Sequence, residues 1–275
     1  MTEKISKAVE LIRGAKNILI GAGAGLSTSA GYTYSGERFE KYFSDFRKKY
    51  GFTDMYSGGF YPYDTQGEFW AFWSRNILCN RYDQPESAVH KKLLSVVKDK
   101  DYFVLTTNVD HLFQNNGFDK ARLFYTQGDY GLFQCPTPCH SKTYDNEEIV
   151  RKMHAAEKNF SVPEELFPRC PKCGEVMTTN LRVDDAFVED GGWKVASYNY
   201  KKFLSKHQDD EIIFLELGVG GNTPGIIKYP FWRFTLQNTK SNYICVNQGQ
   251  AFFPDEISGQ GIAIDMDIKK FLDLI

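Results

Sequence analysis

The chain has 275 residues, of which 42% are hydrophobic and 25% are charged, a balance typical of a folded globular protein rather than a disordered one. The formal net charge of -2 gives no basic surplus, so no nucleic-acid partner is expected. No apolar run is long enough to predict a membrane span, and the polar first residues lack the apolar core of a signal peptide, so a cytoplasmic protein is expected.

Apolar runs and amphipathic segments alternate over most of the chain. Short apolar runs fit buried strands, and segments with apolar residues three or four positions apart fit helices. The pattern predicts strands over residues 17–20, 102–106, 123–126, 212–217 and 243–246, and helices over residues 5–15, 26–30, 88–98, 111–115 and 268–274. Strands separated by helices predict an α/β fold with a Rossmann-like, doubly wound parallel sheet.

A glycine-rich turn over residues 21–27, with the sequence Gly-Ala-Gly-Ala-Gly-Leu-Ser, directly follows the first predicted strand. Glycine lets backbone N–H groups approach a pyrophosphate, and the N-terminus of the next helix favours an anion. The string is not a clean G-x-G-x-x-G motif. A tight strand-to-helix turn without a ligand therefore stays open as the alternative to a dinucleotide site.

Two stretches interrupt the alternation and predict a smaller inserted domain. Residues 37–78 are crowded with aromatic side chains and broken by glycine and proline, which favours a helical module beside the sheet. Residues 133–179 contain paired cysteines with proline and charged residues, which favours a zinc-binding module. Residues 1–36, 79–132 and 180–275 would then form the nucleotide-binding domain.

Polar and glycine residues follow several predicted strands. They occupy residues 23–27, Asn108 and Asp110, residues 127–129, residues 218–222, and Asn247. Asn and Asp favour turns whatever the function, so no single one is decisive. Because ligands of doubly wound sheets bind outside the carboxyl ends of the strands, their joint placement predicts one crevice.

Four cysteines form two pairs with the spacing of a metal site. They are Cys135, Cys139, Cys170 and Cys173. Paired thiolates at such spacing suit a closed, tetrahedral, structural zinc site. Reduced, metal-free cysteines are the alternative, and His140 is a competing ligand. Cys79 and Cys245 are expected to be buried as small hydrophobic residues.

The motifs and their order resemble those of the sirtuins over nearly the whole chain. The segment Gly23-Ala24-Gly25-Leu26-Ser27 with Gly31 is similar to G-A-G-I-S-x-x-x-G, and Thr106-Thr107-Asn108-Val109-Asp110 is similar to T-Q-N-I-D. Gly128 stands where sirtuins have the glycine of an H-G pair. Residues 217–220 resemble a degenerate G-T-S loop, and Val246-Asn247 resembles a late I-N. The four cysteines lie between the H-G and G-T-S positions, as in that family.

The resemblance implies NAD as substrate and a structural zinc ion. It implies catalytic roles for Asn108, Asp110 and Gln127, with Ala24, Asn108 and Asp110 facing the nicotinamide and its ribose. Gly23, Gly218 and Asn247 would lie along the ADP part. The full set of implied NAD contacts is Gly23, Ala24, Gly25, Ser27, Asn108, Asp110, Gln127, Gly218, Gly220, Asn222 and Asn247.

One departure from the sirtuin pattern bears on the reaction. Gln127 stands where sirtuin deacylases have the histidine of the H-G pair. Histidine titrates near neutral pH and can accept a proton from a ribose hydroxyl, whereas glutamine is neutral and can only orient groups by hydrogen bonding. Deacylation should be impaired, while cleavage of the nicotinamide bond, which depends more on charge stabilisation, can survive.

With this exchange the chain resembles the class M, macrodomain-linked sirtuins of microbes, which are protein ADP-ribosyltransferases. The resemblance implies transfer of ADP-ribose from NAD to a protein acceptor. The acceptor would be a lipoylated carrier protein similar to glycine-cleavage H protein, and a macrodomain partner would reverse the mark. The alternatives are an NAD-dependent lysine deacylase, and an NAD hydrolase or ADP-ribose sensor.

A second departure follows Gly31, where sirtuins usually place Phe and Arg over the cofactor. Arg38 and Phe39 are candidates for that role in a shifted register. His111 is a weaker candidate for a replacement base, because as the residue after Asp110 it should point into the start of a helix.

The remaining histidines and one helix are expected at the surface. His90, His154 and His207 lie in polar surroundings. Residues 146–158 form an amphipathic helix inside the predicted zinc module. The polar face of such a helix usually contacts solvent, and docking of a protein acceptor on it is the alternative.

Overall fold

A computed structural model describes residues 2–221 and 224–275. The strands are β1 (Asn17–Ala22), β2 (Asp101–Thr106), β3 (Leu123–Tyr125), β4 (Gly128–Gln134), β5 (Tyr144–Asp145), β6 (Thr178–Leu181), β7 (Ile213–Leu217), β8 (Asn242–Val246) and β9 (Gly261–Ile264). The helices are α1 (Glu3–Gly14), α2 (Ala24–Ser29), α3 (Gly36–Tyr50), α4 (Met55–Gly59), α5 (Gln66–Ile77), α6 (Ala88–Val97), α7 (Leu112–Asn115), α8 (Glu147–Ala156), α9 (Gly191–Lys206), α10 (Lys228–Gln237) and α11 (Ile268–Leu272).

The larger sheet is parallel and has the strand order β3-β2-β1-β7-β8-β9. The strands are apolar on both faces because helices cover both faces. Helices α1, α6, α7 and α11 pack on one side through residues such as Ile12, Leu93 and Phe271, and α9 and α10 pack on the other through Phe203 and Phe231. This is the predicted doubly wound, Rossmann-like α/β fold.

The strand order reverses between β1 and β7. From β1 the chain builds outward through β2 and β3 on one side and, after the inserted elements, through β7, β8 and β9 on the other. The carboxyl ends of the strands beside such a reversal are where ligands of doubly wound sheets bind. The predicted polar strand ends lie at this edge of the sheet.

The smaller sheet is antiparallel, with the order β5-β4-β6. Together with α3, α5 and α8 it surrounds a second core rich in aromatic side chains, among them Phe43, Phe46 and Trp70. The helical character predicted for residues 37–78 is present in α3, α4 and α5. Because β4 and β6 cross the predicted domain boundaries, the division into residues 37–78, 133–179 and the remainder stays a prediction.

Each of the strands predicted for the larger sheet is present within two residues of its predicted ends. The prediction missed β9 at the sheet edge, and it missed α9 and α10. Pro230 lies in the first turn of α10, where it is compatible with a helix, but its neighbours give no clean apolar stripe. No helix in the described part of the chain is long and apolar enough to cross a membrane.

The expectation of surface histidines was wrong for His90 and His207, which are buried, and is confirmed for His154. His90 faces inward from α6, where its Nδ1 lies 2.8 Å from Ser87 Oγ and its ring packs edge-on against Phe113. Burial lowers the pKa of His90 to about 3, so the imidazole is neutral. Polar sequence neighbours concealed the inward-facing position of this residue on the helix.

Candidate active site

A cavity of about 640 Å³ lies at the carboxyl ends of β1, β2 and β3. Its volume is within the range of small-ligand sites. The wall combines the turn after β1, the turn after β2, the residue before β4, and parts of the aromatic segment and β6. We call it the central cavity.

Most of the predicted NAD contacts line the central cavity. Those that do are Gly23, Ala24, Ser27, Asn108, Asp110, Gln127 and Gly220. Gly25, Gly218 and Asn247 are not among the lining residues, although each lies at the same edge of the sheet. Asn222 lies outside the described residues. The structure therefore brings together segments that are 100 residues apart in sequence.

The glycines of the first turn have a packing role that was not predicted, because the neighbouring loop approaches them closely. A Cβ on Gly25 would lie 2.7 Å from Gly218 Cα, and a Cβ on Gly23 would lie 2.6 Å from the Gly218 oxygen. The N–H groups of Gly23 and Gly25 donate to the carbonyls of Leu217 and Gly218 at 3.0 and 2.9 Å. These two amides are therefore committed to the protein and are not available to a pyrophosphate.

Asn247 also contacts the loop that follows β7. Its side-chain amide donates to the Val219 carbonyl at 3.0 Å. The late strand β8 thus fixes the loop after β7, and that loop in turn packs on the glycine-rich turn. The sequence pattern predicted that Gly25, Gly218 and Asn247 lie at one edge of the sheet, and they do. The contacts that the structure shows for them are with each other's loops.

Asn108, Ser27 and Asp110 form a hydrogen-bonded chain at the base of the cavity. Asn108 Nδ2 donates to the Gly23 carbonyl at 3.0 Å and to Ser27 Oγ at 3.1 Å. Ser27 Oγ donates to Asp110 Oδ2 at 2.6 Å. Because the NH₂ group of Asn108 is held by the protein, its carbonyl oxygen Oδ1 is what this side chain can offer a ligand.

Asp110 is a buried carboxyl that faces the cavity. Its Oδ1 accepts the Leu112 N–H at 3.1 Å, which caps the start of α7. Burial raises the pKa of Asp110 above the usual aspartate range, and the hydrogen bonds from Ser27 and Leu112 oppose that shift. A carboxyl group whose pKa is shifted by burial and that faces a cavity is typical of a functional site.

Asp110→Asn is expected to raise the free energy of unfolding near neutral pH, because it removes a buried charge. The pKa of Asp110 is higher in the folded chain than in the unfolded chain. Asp110 therefore makes its full contribution to the free energy of unfolding at pH values below its unfolded pKa. This contribution is lost as the pH rises through the folded pKa. The gain should therefore shrink in acid. Thermal unfolding at neutral and acidic pH measures it, with the exposed Asp99→Asn as control. An Asp110→Asn variant less stable than wild type at neutral pH would contradict the assignment.

Gln127 lies between β3 and β4 and lines the cavity beside these groups. Its backbone carbonyl accepts the Arg182 N–H at 2.9 Å, which ties this segment to the end of β6. Gly128, the next residue, has φ 97° and could not carry a side chain, because a Cβ would lie 1.9 Å from the Asn180 oxygen. The tight approach of β6 thus fixes where Gln127 lies.

A polar wall that was not predicted from the sequence faces the cavity and is formed by residues from three separate segments. Asn76 and Asn80 are almost fully buried and hydrogen-bonded to each other at 2.9 Å. The hydroxyls of Tyr34 and Tyr130 are 2.8 Å apart, and all four residues line the cavity. The available signal was the spacing of the two asparagines, four residues apart at the end of α5 and in the turn that follows it.

Arg38 and Phe39 do not lie over the cavity, which corrects the role suggested for them. Arg38 donates to Asn80 Oδ1 at 2.7 Å and to the Cys79 carbonyl at 2.6 Å, so it holds the polar wall from behind. Phe39 is buried and packs against Phe43 in the aromatic core.

The mouth of the cavity is apolar and exposed. Tyr56 and Phe60 on one side and Val183 on the other are each more than half exposed, and all three line the cavity. Phe69 and Trp73 continue the apolar lining inward.

The four predicted metal ligands come together. Their sulfur atoms all lie within 4.8 Å of one another, with Cys135 and Cys173 3.5 Å apart and Cys139 and Cys170 3.6 Å apart. Tetrahedral zinc with bonds of about 2.3 Å holds its sulfurs about 3.8 Å apart, so the set fits a structural zinc ion. His140 instead lies between Cys139 and the Tyr144 hydroxyl, a supporting position.

Comparisons with known proteins agree with this arrangement. A family model described as the Sir2 family matches residues 23–184. A Staphylococcus aureus protein named "Protein ADP-ribosyltransferase" is 40% identical, over 99% of this chain and 88% of that protein. A Fusarium oxysporum protein named "Probable bifunctional ADP-ribose hydrolase/ADP-ribosyltransferase" is 27% identical over 98% of this chain, which spans only 47% of that relative.

A solved structure described as "Structure of Sir2Tm bound to a propionylated peptide" has the same fold. It superposes with a TM-score of 0.60 at 18% identity, over 98% of this chain and 96% of the other. The matched family model covers both turns that build the cavity and all four cysteines. The chain therefore belongs to the Sir2 family.

Proposed function

We propose that this protein is an NAD-dependent ADP-ribosyltransferase that transfers ADP-ribose from NAD to a protein acceptor and releases nicotinamide. The observation that carries the proposal is the composition of the central cavity, where Asn108 and Asp110 meet the neutral Gln127 in place of a titratable base. The name of the Staphylococcus aureus relative, which is 40% identical over nearly the whole chain, supports the same activity.

The residues at the base of the cavity suit cleavage of the bond between nicotinamide and ribose. Positive charge grows on C1′ as nicotinamide leaves, and fixed dipoles or a carboxylate near that atom stabilise it. Asn108 Oδ1 and the Asp110 carboxylate are the candidates, and Ser27 orients both. Because the protein has already fixed these groups, they need little reorganisation during the reaction.

Gln127 sets the expected fate of the ribosyl group. Its side chain can orient a ribose hydroxyl or an incoming acceptor by hydrogen bonding, but it cannot remove a proton. A deacylase needs a base to activate the ribose hydroxyl that attacks the acyl intermediate. The direct capture of C1′ by an acceptor nucleophile has no such requirement for a base at this position.

Wild-type protein is therefore expected to deacylate acyl-lysine peptides at least about 10²-fold more slowly than it releases nicotinamide with its acceptor, because general-base help of about 10²–10⁴-fold is missing. Gln127→His should increase the rate of deacylation, because it restores a general base, whereas Gln127→Ala should not increase this rate. Peptide mass spectrometry and O-acyl-ADP-ribose formation measure both. Rapid deacylation by the wild-type protein would contradict the proposal.

We further propose that the acceptor is a lipoylated carrier protein similar to glycine-cleavage H protein, with a macrodomain partner that removes the mark. The sequence resemblance to macrodomain-linked sirtuins suggests this pairing. The apolar mouth formed by Tyr56, Phe60 and Val183 suits an aliphatic chain attached to a protein surface. The Fusarium relative, whose name joins an ADP-ribose hydrolase to an ADP-ribosyltransferase, supports the macrodomain part.

Transfer from labelled NAD to the carrier protein, with and without its lipoyl group, tests the acceptor. The proposal predicts label on the lipoylated form and at least about tenfold less on the unmodified form. Phe60→Ser, which removes part of the apolar mouth, should reduce this preference. The exposed Tyr198→Ser on α9 is the matched control. Equal labelling of both forms would contradict a role for the lipoyl chain.

A further inference from the structure

The His111 imidazole and the Asp129 carboxylate form a pair that the proposed reaction does not yet use. His111 Nδ1 is hydrogen-bonded to Asp129 Oδ2. Asp129 is buried, and its other oxygen accepts from Arg81 Nε at 3.0 Å and from the Gly131 N–H at 2.7 Å. Burial opposes the charged form, but the hydrogen bond and charges of His111 and Arg81 outweigh it and hold the pKa of Asp129 below its usual range.

The pair joins the two segments that carry the proposed catalytic residues. His111 directly follows the turn that contains Asn108 and Asp110, and Asp129 comes two residues after Gln127. These segments leave the adjacent strands β2 and β3. Backbone hydrogen bonds from Thr126 to Thr106 and from Tyr130 to Val109 also join these segments, and the His111–Asp129 pair adds a side-chain link between the base of the cavity and the segment of Gln127.

The backbone at His111 indicates that the contact determines the local conformation. His111 has φ 61° and ψ 14°, in the left-handed region. Few residues with a side chain adopt this region, and histidine and asparagine do so more readily than most. Such conformations persist where surrounding contacts require them, and they cluster at functional sites.

We propose that His111, held by Asp129, is a positioning residue that keeps the turn of Asn108 and Asp110 in register with Gln127. His111 does not line the central cavity, so it acts through its neighbours and not on a ligand. This role rests on the proposed function, because its effect is on the turnover of NAD.

His111→Asn and His111→Gly form a matched pair of variants. Both residues tolerate the left-handed backbone, but only asparagine keeps a side-chain donor close to the position of Nδ1. The glycine variant is expected to lower kcat for nicotinamide release about tenfold, because loss of register between catalytic groups costs turnover. Its KM for NAD should stay within about twofold of wild type, and the asparagine variant should recover kcat to within about threefold.

Asp129→Asn provides a second route to the same contact. Asp129→Asn weakens the link to His111 and also the ion pair with Arg81, so it has an effect of its own. Because His111→Gly removes the link entirely, the two changes share that part of the loss, and the double variant should be no slower than the slower single variant. An additive loss in the double variant would overturn the proposal. So would a glycine variant with wild-type kcat, or an asparagine variant as slow as the glycine variant. A wild-type protein that releases no nicotinamide would overturn the proposed function together with this role, whereas the preceding outcomes overturn this role alone.

Discussion

Asn108→Ala should lower the rate of nicotinamide release from NAD by about 10²–10³-fold, the usual cost of removing one preorganised polar group from a site of developing charge. The loss should fall mainly on kcat, because Oδ1 acts on charge that grows as the bond breaks. The variant also leaves the Gly23 carbonyl and Ser27 Oγ without their donor, so a stability loss of about 1 kcal/mol is expected in addition.

Steady-state assays of nicotinamide release, with thermal unfolding on the same samples, measure both effects. Asn115→Ala is the matched control, since Asn115 is an exposed asparagine on the neighbouring helix α7. The control should keep wild-type turnover. Wild-type turnover in Asn108→Ala would remove this residue from the site and would leave Asp110 as the main candidate.

Removal of the zinc ligands is the second change with a large expected effect. Structural zinc contributes folding free energy directly. Cys170→Ser, or a strong chelator, is therefore expected to cost at least about 3 kcal/mol, which lowers Tm by roughly 6–12 °C in a chain of this size. Cys135 lies directly after β4, and β6 begins five residues after Cys173. Because β6 lines the cavity through Thr178, NAD turnover should fall as well.

Elemental analysis of the purified protein should give one zinc ion per chain, and differential scanning calorimetry should show the loss of stability. Lys142→Ala changes an exposed residue near the cysteine cluster and should keep both zinc and Tm. Unchanged unfolding after complete chelation would show that the four cysteines need no metal.

The larger sheet was predictable because its strands are buried on both faces and read as continuous apolar runs. The edge strand β9 was missed because it is short and contains Gly261 and Ala263, so it does not form a continuous apolar run. Helix α10 was missed because Pro230 and its aromatic neighbours hide a helix that is stabilised by packing of Phe231 rather than by its own pattern.

The members of the candidate site that directly follow strands could be predicted from the sequence. Those whose positions depend on tertiary contacts could not. Asn108, Asp110 and Gln127 line the central cavity because parallel strands end at one edge, and their catalytic roles stay a prediction. The contact of the Gly25 amide with a loop about 190 residues later could not be predicted, and the role of Gly25 in binding NAD stays a prediction. No local pattern reports such a contact. Asn76 and Asn80 were missed because only folding brings the end of α5 and the residues after it to the cavity.

We propose that this Sir2 family protein transfers ADP-ribose from NAD to a protein. The most direct measurement is intact mass spectrometry of the lipoylated carrier protein after incubation with NAD and this protein, with nicotinamide quantified in parallel. We predict that the carrier gains one ADP-ribose for each nicotinamide released, and that Asn108→Ala produces neither. Nicotinamide released with an unmodified carrier and free ADP-ribose, or with O-acyl-ADP-ribose from an acyl-lysine peptide, would contradict the claim.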